Sequence, residues 1–402
     1  MNLLFAWKKE WSILTALALA LRALYAAFGI LILRSGGPMP LDETPYALIS
    51  PYLHTDSFSR WFINPWFQWD TISYMEISIL GYNSQSSSIA FMPLYPWLMR
   101  ITAPLVGNNP LTAALIISTL GFIATLILLY ELIATIDQST SAFQGVLAFL
   151  VFPTTFFMLA GYTESLFLAL VLGFWLSAHR RRWGWAAILA GLATLTRLQG
   201  VALTPILLWM MFTSLIPNLD QNPLRQVKQV FENLSLIKSF RPTWLLLSAT
   251  PVIVALGWQV WLKLSGLGTV TDALNQHWQI QTVAPWTGFI LFCQRLFTLK
   301  FIYMDWIDLC LFVFILLFSL VSLRDLSPEF SLYIWLTLAI FFMRGTPPHL
   351  LASYSRYFLT LFPLFILTAR MESRPIKIFA ATASFCMQML LAWVFLLGSW
   401  VA

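Results

Sequence analysis

The stretch WSILTALALALRALYAAFGILIL, residues 11–33, decides what kind of molecule this chain is. It is long enough to cross a bilayer, which takes roughly 20 predominantly apolar residues. It exceeds the apolar core of a secretory signal, roughly 7–15 residues, and Arg22 interrupts it. We read it as a retained first span that starts beside Lys8 and Lys9. A guanidinium is expensive inside a bilayer. Arg22 therefore faces other helices in a structural pair, snorkels, or reaches a lipid phosphate.

The rest of the chain repeats this pattern. Of 402 residues, 59% are hydrophobic, 16% aromatic and only 10% charged, and the mean hydropathy is +0.76. A soluble domain carries about 25% charged residues. So much apolar surface needs lipid to cover it. The net charge of +6 does not indicate a nucleic-acid partner, because the basic residues fall in short clusters between apolar runs. Cys293, Cys310 and Cys386 lie too far apart for a disulfide framework or a zinc motif. At least two are expected inside apolar spans, as small hydrophobes.

Candidate spans lie near 12–33, 111–134, 142–160, 163–178, 184–197, 199–215, 243–264, 304–323, 329–343, 351–369 and 376–399. The expected fold is all-α: a single integral-membrane domain over 1–402 with about 11 spans. Several spans are short, and short or broken helices tend to line cavities. No internal repeat points to an inverted-repeat transporter. Basic residues crowd one set of alternate loops: Lys8 and Lys9, Arg180–Arg182, Arg225 to Arg241, Arg324, and Arg370 to Lys377. That bias puts the N-terminus inside and the C-terminus outside. The loop IDQSTSA lacks a basic residue, so the count there rests on length.

In this topology the chemically interesting polar groups gather on the outer side. The first outer loop, 34–110, carries QWDTISYMEIS and FMPLYP; a second spans 265–303, with Asp272 and His277. GYTES (161–165), TRLQG (196–200) and PPHLLASYSRY (347–357) face the same way. Asn64 followed by Pro65 predicts a helix start, which Trp66, Phe67 and Trp69 would lay along the interface. Asp70 sits near that helix's first turn, and Tyr74 follows one turn on, on the same face. Asp70 could serve the helix dipole or act as a general base. Glu76 points elsewhere and reads as structural.

One carboxylate suffices if the leaving group is a lipid phosphate. Such a group departs as a stable anion, so the site needs a base for the incoming hydroxyl and cations for the phosphate. Glycosidases use two carboxylates. Arg197 and Arg356 can supply the cations, with bidentate geometry. Arg197 could equally be a structural partner of Glu164, and Arg356 an interfacial anchor. Glu164 after Thr163 reads as a cap or a structural partner. His277 is a lone histidine with an aromatic neighbour. FMPLYP shapes the backbone, through two prolines around Leu94 and Tyr95. There is no glycine-rich phosphate loop, metal-ligand cluster or nucleophile–His–acid set.

WFQWDTISYMEISILGY with FMPLYPWLMRI, FPTTFFMLAGYTESLFLAL, RRRWGWAAILAGLATLTRLQG and SRYFLTLFPLF, taken in order, resemble the PIG-V mannosyltransferase family. The resemblance runs from about residue 60 to 370 and is loose over 215–350. It implies a polytopic GT-C glycosyltransferase. In eukaryotes that family adds the second mannose to the glycosylphosphatidylinositol precursor. It further implies an inverting transfer of mannose from a polyprenyl- or dolichyl-phosphate donor, on the non-cytoplasmic side, to a glycolipid or other hydroxyl acceptor. The first outer loop of GT-C enzymes carries the catalytic acid, a place that Asp70 occupies. Glu164, Arg197, Gln199 and Arg356 match other motif positions, and Tyr74 and His277 complete the candidate substrate-binding or supporting set. Met92 stands where a second aromatic is expected, and Ser355 where a proline is expected. No cofactor is called for; a divalent cation stays open, and a small membrane subunit is a candidate partner. The membrane would be the plasma membrane in a bacterium and the endoplasmic reticulum in a eukaryote. Two other readings compete: a transporter or flippase of lipid-linked sugars, with polar groups near the midplane, and a non-catalytic subunit of a glycan-assembly complex.

Overall fold

The computed structural model describes residues 8–35, 49–54, 57–136, 141–220, 222–297, 303–345 and 353–401. Parts of the 34–110 and 265–303 loops, the middle of IDQSTSA and the start of PPHLLASYSRY lie outside them. The described residues form helices and no named strand; one isolated antiparallel bridge joins Thr282 to Arg344.

Five helices are long and apolar enough to cross a membrane. They are Lys9–Arg34, Pro110–Ile136, Pro242–Leu264, Tyr303–Asp325 and Arg374–Leu396. Glu164–His179, Trp183–Thr196 and Pro328–Phe342 are shorter and apolar, as is the 198–213 segment. Two expected spans are broken. Over 142–160 the α-helix stops at Leu150, and a 3-10 turn follows at Thr155–Met158. Pro153 explains the stop, since it cannot continue the amide ladder and it pushes the residue before it out of the helical region. Over 351–369 the described chain forms a short turn of helix, Tyr354–Tyr357, then a 3-10 turn, then Pro363–Arg370. These interruptions put irregular backbone, with its free polar groups, deep inside the protein, where polar side chains can gather.

The Pro110–Ile136 helix is the central post. Half of its apolar window (50%) is buried in protein, against 22–28% for the other four candidate spans. It packs against Glu164–His179. Gly121 permits this, because a side chain there would meet the backbone of Ser165 and Leu166 at 3.0 Å. Arg22 also leans on the post. It donates to Thr119 Oγ1 at 2.6 and 3.1 Å and to the Leu115 carbonyl at 3.1 Å, and it lies 5.1 Å from the Trp66 ring centroid. Its described partners are thus neutral oxygens and a π face.

The 34–110 segment departs from expectation at one point. Asn64 and Pro65 open only a 3-10 turn, Asn64–Trp66, and the α-helix starts later, at Asp70–Leu80. The Asn64 side chain does not cap its own helix; it exchanges hydrogen bonds with the backbone of His54, at 2.9 and 3.1 Å. Asn64 therefore closes a loop. Of the cysteines, Cys310 and Cys386 sit exposed on long apolar helices, and Cys293 is half-buried on Pro285–Leu296.

Candidate active site

Asp70 is the first residue of its helix, and the backbone before it is strained. Trp69 has φ 48° and ψ −118°, and Thr71 N–H donates back to the Gln68 carbonyl at 3.0 Å. This is the geometry of a type II′ turn with a bulky residue in the position that favours glycine. Such a conformation costs on the order of 1–3 kcal/mol. It turns the chain sharply, so that Asp70 opens the helix. From behind, Gly161 admits the helix: a Cβ there would lie 2.6 Å from Thr71 Cγ2. The chain that follows Gly161 supplies Tyr162, Thr163 and Glu164.

Four charged side chains from four distant segments meet here. Arg356 Nη1 donates to Asp70 Oδ2 at 2.7 Å, and Arg356 Nε lies 3.1 Å from Glu164 Oε1. The same Glu164 oxygen accepts from Arg197 Nη1 at 2.6 Å, and Arg197 Nη1 also lies 2.9 Å from Thr163 Oγ1. Asp70, Arg356, Glu164 and Arg197 thus form one linear chain of alternating charge. Two guanidinium groups balance two carboxylates, as buried ions require. Aromatic faces line it. The Tyr357 ring centroid lies 4.8 Å from the Arg197 guanidinium and 5.0 Å from that of Arg356, and Tyr162 and Phe157 lie 5.0 and 5.6 Å from Arg356. Each is within cation–π range. Arg356 Nη2 bonds the Tyr357 hydroxyl at 3.2 Å.

Exposure differs sharply along this chain. The side chains of Glu164, Arg356 and Arg197 are 1%, 6% and 10% accessible, while Asp70 is 30% accessible. The network is a buried rod with one reachable end, and that end is a carboxylate. Glu164 Oε2 is buried without a hydrogen-bond partner among the described residues.

The remaining sequence candidates separate. Tyr74 is fully inside: its hydroxyl lies 3.3 Å from Thr163 Oγ1 and its ring packs on Phe91 and Tyr95. Burial, reinforced by the charge of Asp70, pushes the Tyr74 phenol well above its ordinary pKa, so it stays neutral. Gln199 sits half-buried in the 3-10 turn Leu198–Ala202, two residues past Arg197. His277 is exposed near the end of Val270–Trp278, with its ring beside Trp278, and is not part of the charged chain. Glu76 is half-buried on the Asp70–Leu80 helix, and desolvation raises its pKa.

Sequence reasoning missed three groups. Tyr357 lay inside SRY but was read only as motif. Arg344 lies beside it, with Nη1 3.4 Å from the Tyr357 hydroxyl. Asp305 and Asp308, one turn apart on Tyr303–Asp325, are 5% and 2% exposed. Asp308 lies close to both the side chain and the backbone of Ser355, the residue before Arg356. A pair of acids in an otherwise apolar helix was the available signal. No group of three or more His, Cys, Asp or Glu side chains converges as a metal site among the described residues.

A family model described as mannosyltransferase (PIG-V) matches residues 16–249. That segment contains Asp70, Glu164 and Arg197; Arg356 lies beyond it. A search of curated protein sequences finds no match. Among solved structures, an oligosaccharyltransferase from Archaeoglobus fulgidus, tethered to an acceptor peptide, is similar at 14% identity and a TM-score of 0.42. The alignment covers 96% of this chain and 55% of that one, so the chain spans about half of that protein's length.

Proposed function

Because the chain belongs to the PIG-V mannosyltransferase family, and is a multi-pass membrane glycosyltransferase, we propose that it transfers mannose from a polyprenyl- or dolichyl-phosphate donor to an acceptor hydroxyl, with inversion and with Asp70 as the general base. The observation that carries this reading is the single accessible carboxylate at the end of a buried, charge-balanced network.

In the proposed reaction the acceptor oxygen attacks the anomeric carbon, and its proton passes to Asp70. The bond from that carbon to the phosphate oxygen breaks, and the polyprenyl phosphate leaves with the electron pair. A phosphate leaving group needs no protonation, which fits a site with one accessible acid. Arg356 aims Asp70, because its Nη1 donates to Oδ2 at 2.7 Å. Arg197 and Arg356 together keep the site from being anionic, so a phosphate can approach. Arg356 hydrogen-bonds Asp70 through Nη1 and Tyr357 through Nη2, and its guanidinium is ion-paired with Glu164. Direct contact with the donor phosphate therefore falls more naturally to Arg197, whose described polar contacts use Nη1 alone. Glu164 orients both arginines from the buried part of the network. The acceptor is a glycolipid or another hydroxyl compound reached from the non-cytoplasmic side.

The test is sugar transfer from labelled polyprenyl-phosphate mannose in proteoliposomes that contain a total lipid extract. Asp70→Asn keeps the shape and removes the base. The expected result is unchanged donor binding with transfer lowered by about 10²–10⁴-fold. Equal transfer by both proteins would make Asp70 structural. Labelled lipid crossing the bilayer without transfer would turn the reading toward a transporter.

A further inference from the structure

We propose that the end of the molecule formed by residues 180–185 and 220–244 binds anionic phospholipid, with the Pro223–Glu232 helix lying in the plane of the membrane surface. This depends on residence in a membrane and is independent of the transfer reaction.

The Pro223–Glu232 helix has three faces. It opens with a side-chain cap: Asn222 Oδ1 accepts from the N–H groups of Leu224 and Arg225 at 3.1 and 3.2 Å, and Pro223 takes the first position. Gln226 and Val230, four residues apart, are buried, and the helix packs against Tyr303–Asp325 and Pro328–Phe342. Leu224 and Phe231, seven apart and so on one stripe, are 73% and 66% exposed. Lys228 stands between them on that stripe, where its stem can lie on apolar surface while its ammonium reaches outward. Arg225 and Glu232, also seven apart, make an exposed charged face. Protein on one flank, an exposed apolar stripe on a second and charge on a third fit a boundary between protein, lipid and water.

The chain beyond continues the mixture. Leu234 and Ile237 are exposed beside Lys238, and Arg241 precedes the membrane-crossing helix Pro242–Leu264, whose first turns expose Leu245 and Leu246. A second basic cluster joins from a different loop. The Trp183 and Trp244 rings lie 5.9 Å apart, and Phe240 is 5.2 Å from Trp244. These contacts bring Arg180, Arg181 and Arg182 to the same end of the bundle as Lys238 and Arg241, with Trp185 exposed beside them. Basic residues and tryptophan at one level mark a headgroup zone.

Charge decides the kind of lipid. Residues 180–185 and 220–244 hold seven basic residues against two acids, Asp220 and Glu232. Both acids are in weak exposed pairs, with Arg225 at 3.9 Å and Lys228 at 3.7 Å. Among the described residues, Arg180, Arg181, Arg182, Lys238 and Arg241 form no ion pair. A soluble acidic partner answers the charge but leaves the apolar stripe in water. A zwitterionic lipid answers the stripe but leaves the positive charge in excess. An anionic phospholipid answers both, through its headgroup and its acyl chains. The orientation expected from the basic loops makes this the cytoplasmic leaflet.

The test measures binding of fluorescent phosphatidylglycerol and phosphatidylcholine to the full chain in detergent micelles. Wild type should prefer phosphatidylglycerol, and the preference should shrink as salt is raised. Arg241→Gln and Lys263→Gln remove the same charge at opposite ends of one helix. Arg241→Gln should lower the preference about fivefold, which corresponds to the contribution of about 1 kcal/mol of one basic residue near an anionic surface. Lys263→Gln should leave it within twofold. Equal affinity of wild type for the two lipids, or equal losses in the two variants, would overturn the proposal. Depth is read in nanodiscs from nitroxides on Phe231→Cys and Arg225→Cys, in a chain whose three native cysteines are replaced by serine. Dissolved oxygen should relax the label at 231, and a water-soluble nickel chelate the label at 225. Relaxation of both labels by the chelate would put the whole helix in water and overturn its in-plane placement. None of these readings requires sugar transfer, so loss of the proposed activity and loss of this surface are separable.

Discussion

Glu164 is the residue on which the site balances. One oxygen serves Arg197 at 2.6 Å and Arg356 at 3.1 Å, and the side chain is 1% exposed. Removing one partner of a buried ion pair costs about 3–5 kcal/mol, because the other charge stays buried. Glu164→Gln leaves two guanidinium groups with Asp70 as their only described carboxylate. We expect a loss of stability of that size, read as a lowered melting temperature in detergent. The double variant Glu164→Gln with Arg197→Gln leaves the neutral Asp70–Arg356 pair. It should melt above the single variant. If the double variant is the less stable by the sum of both single losses, the three groups do not act as a network. Both residues were legible in the sequence as charges in apolar surroundings, and their pairing was one of the readings weighed. The Asp70–Arg356 pair was not legible. The two lie 286 positions apart, and no local pattern connects them.

At the scale of elements, the site depends on a short turn of helix, Tyr354–Tyr357, where an unbroken span had been expected. Ser355 ties this turn down from two sides. Its carbonyl accepts from Thr154 Oγ1 at 2.9 Å, and its hydroxyl and backbone N–H lie within electrostatic reach of the buried Asp308. Ser355 was noted as a departure from an expected proline. Proline has neither of those donors. The departure is therefore matched by an acid on a neighbouring helix, a relation that only the fold reveals. Ser355→Pro should leave Asp308 buried without its partner and release the turn. The expected readout is a drop in kcat of at least about tenfold together with a stability loss of about 1–3 kcal/mol. In an Asp308→Leu background, where no carboxylate needs satisfying, the same proline should cost less stability. Equal costs in both backgrounds would show that Asp308 does not hold the turn. Helix ends were legible where proline or glycine punctuates them. The helix at 64 was misplaced because Asn64 spends its side chain on the backbone of His54, across a loop, instead of on its own first turn.

For the whole molecule, apolar runs read from sequence became helices at nearly every expected position, because in lipid every backbone group must be satisfied within its own segment. What periodicity could not give was which runs stay continuous. The breaks after Leu150 and at Tyr357 depend on proline and on polar partners supplied by distant chain. Those two breaks lie at the site: Phe157 follows one, and Arg356 lies at the other.

The span of the Arg356–Asp70 contact has a consequence for biogenesis. During insertion Glu164 and Arg197 enter the bilayer on neighbouring helices and can neutralise each other at once. Asp70 has no such early companion. Its counter-charge emerges only after another 286 residues have been made. Until then the nascent chain carries a half-assembled charge cluster, and the 64–100 segment has no ion pair to hold it there. Arrival of Arg356 is thus the step that seals the Asp70 end of the network. Nascent chains arrested before Arg356 should show the 64–100 segment open to protease, and those arrested after residue 401 should protect it. Protection of the shorter chains would mean that the loop docks on apolar contacts alone, before the ion pair can form.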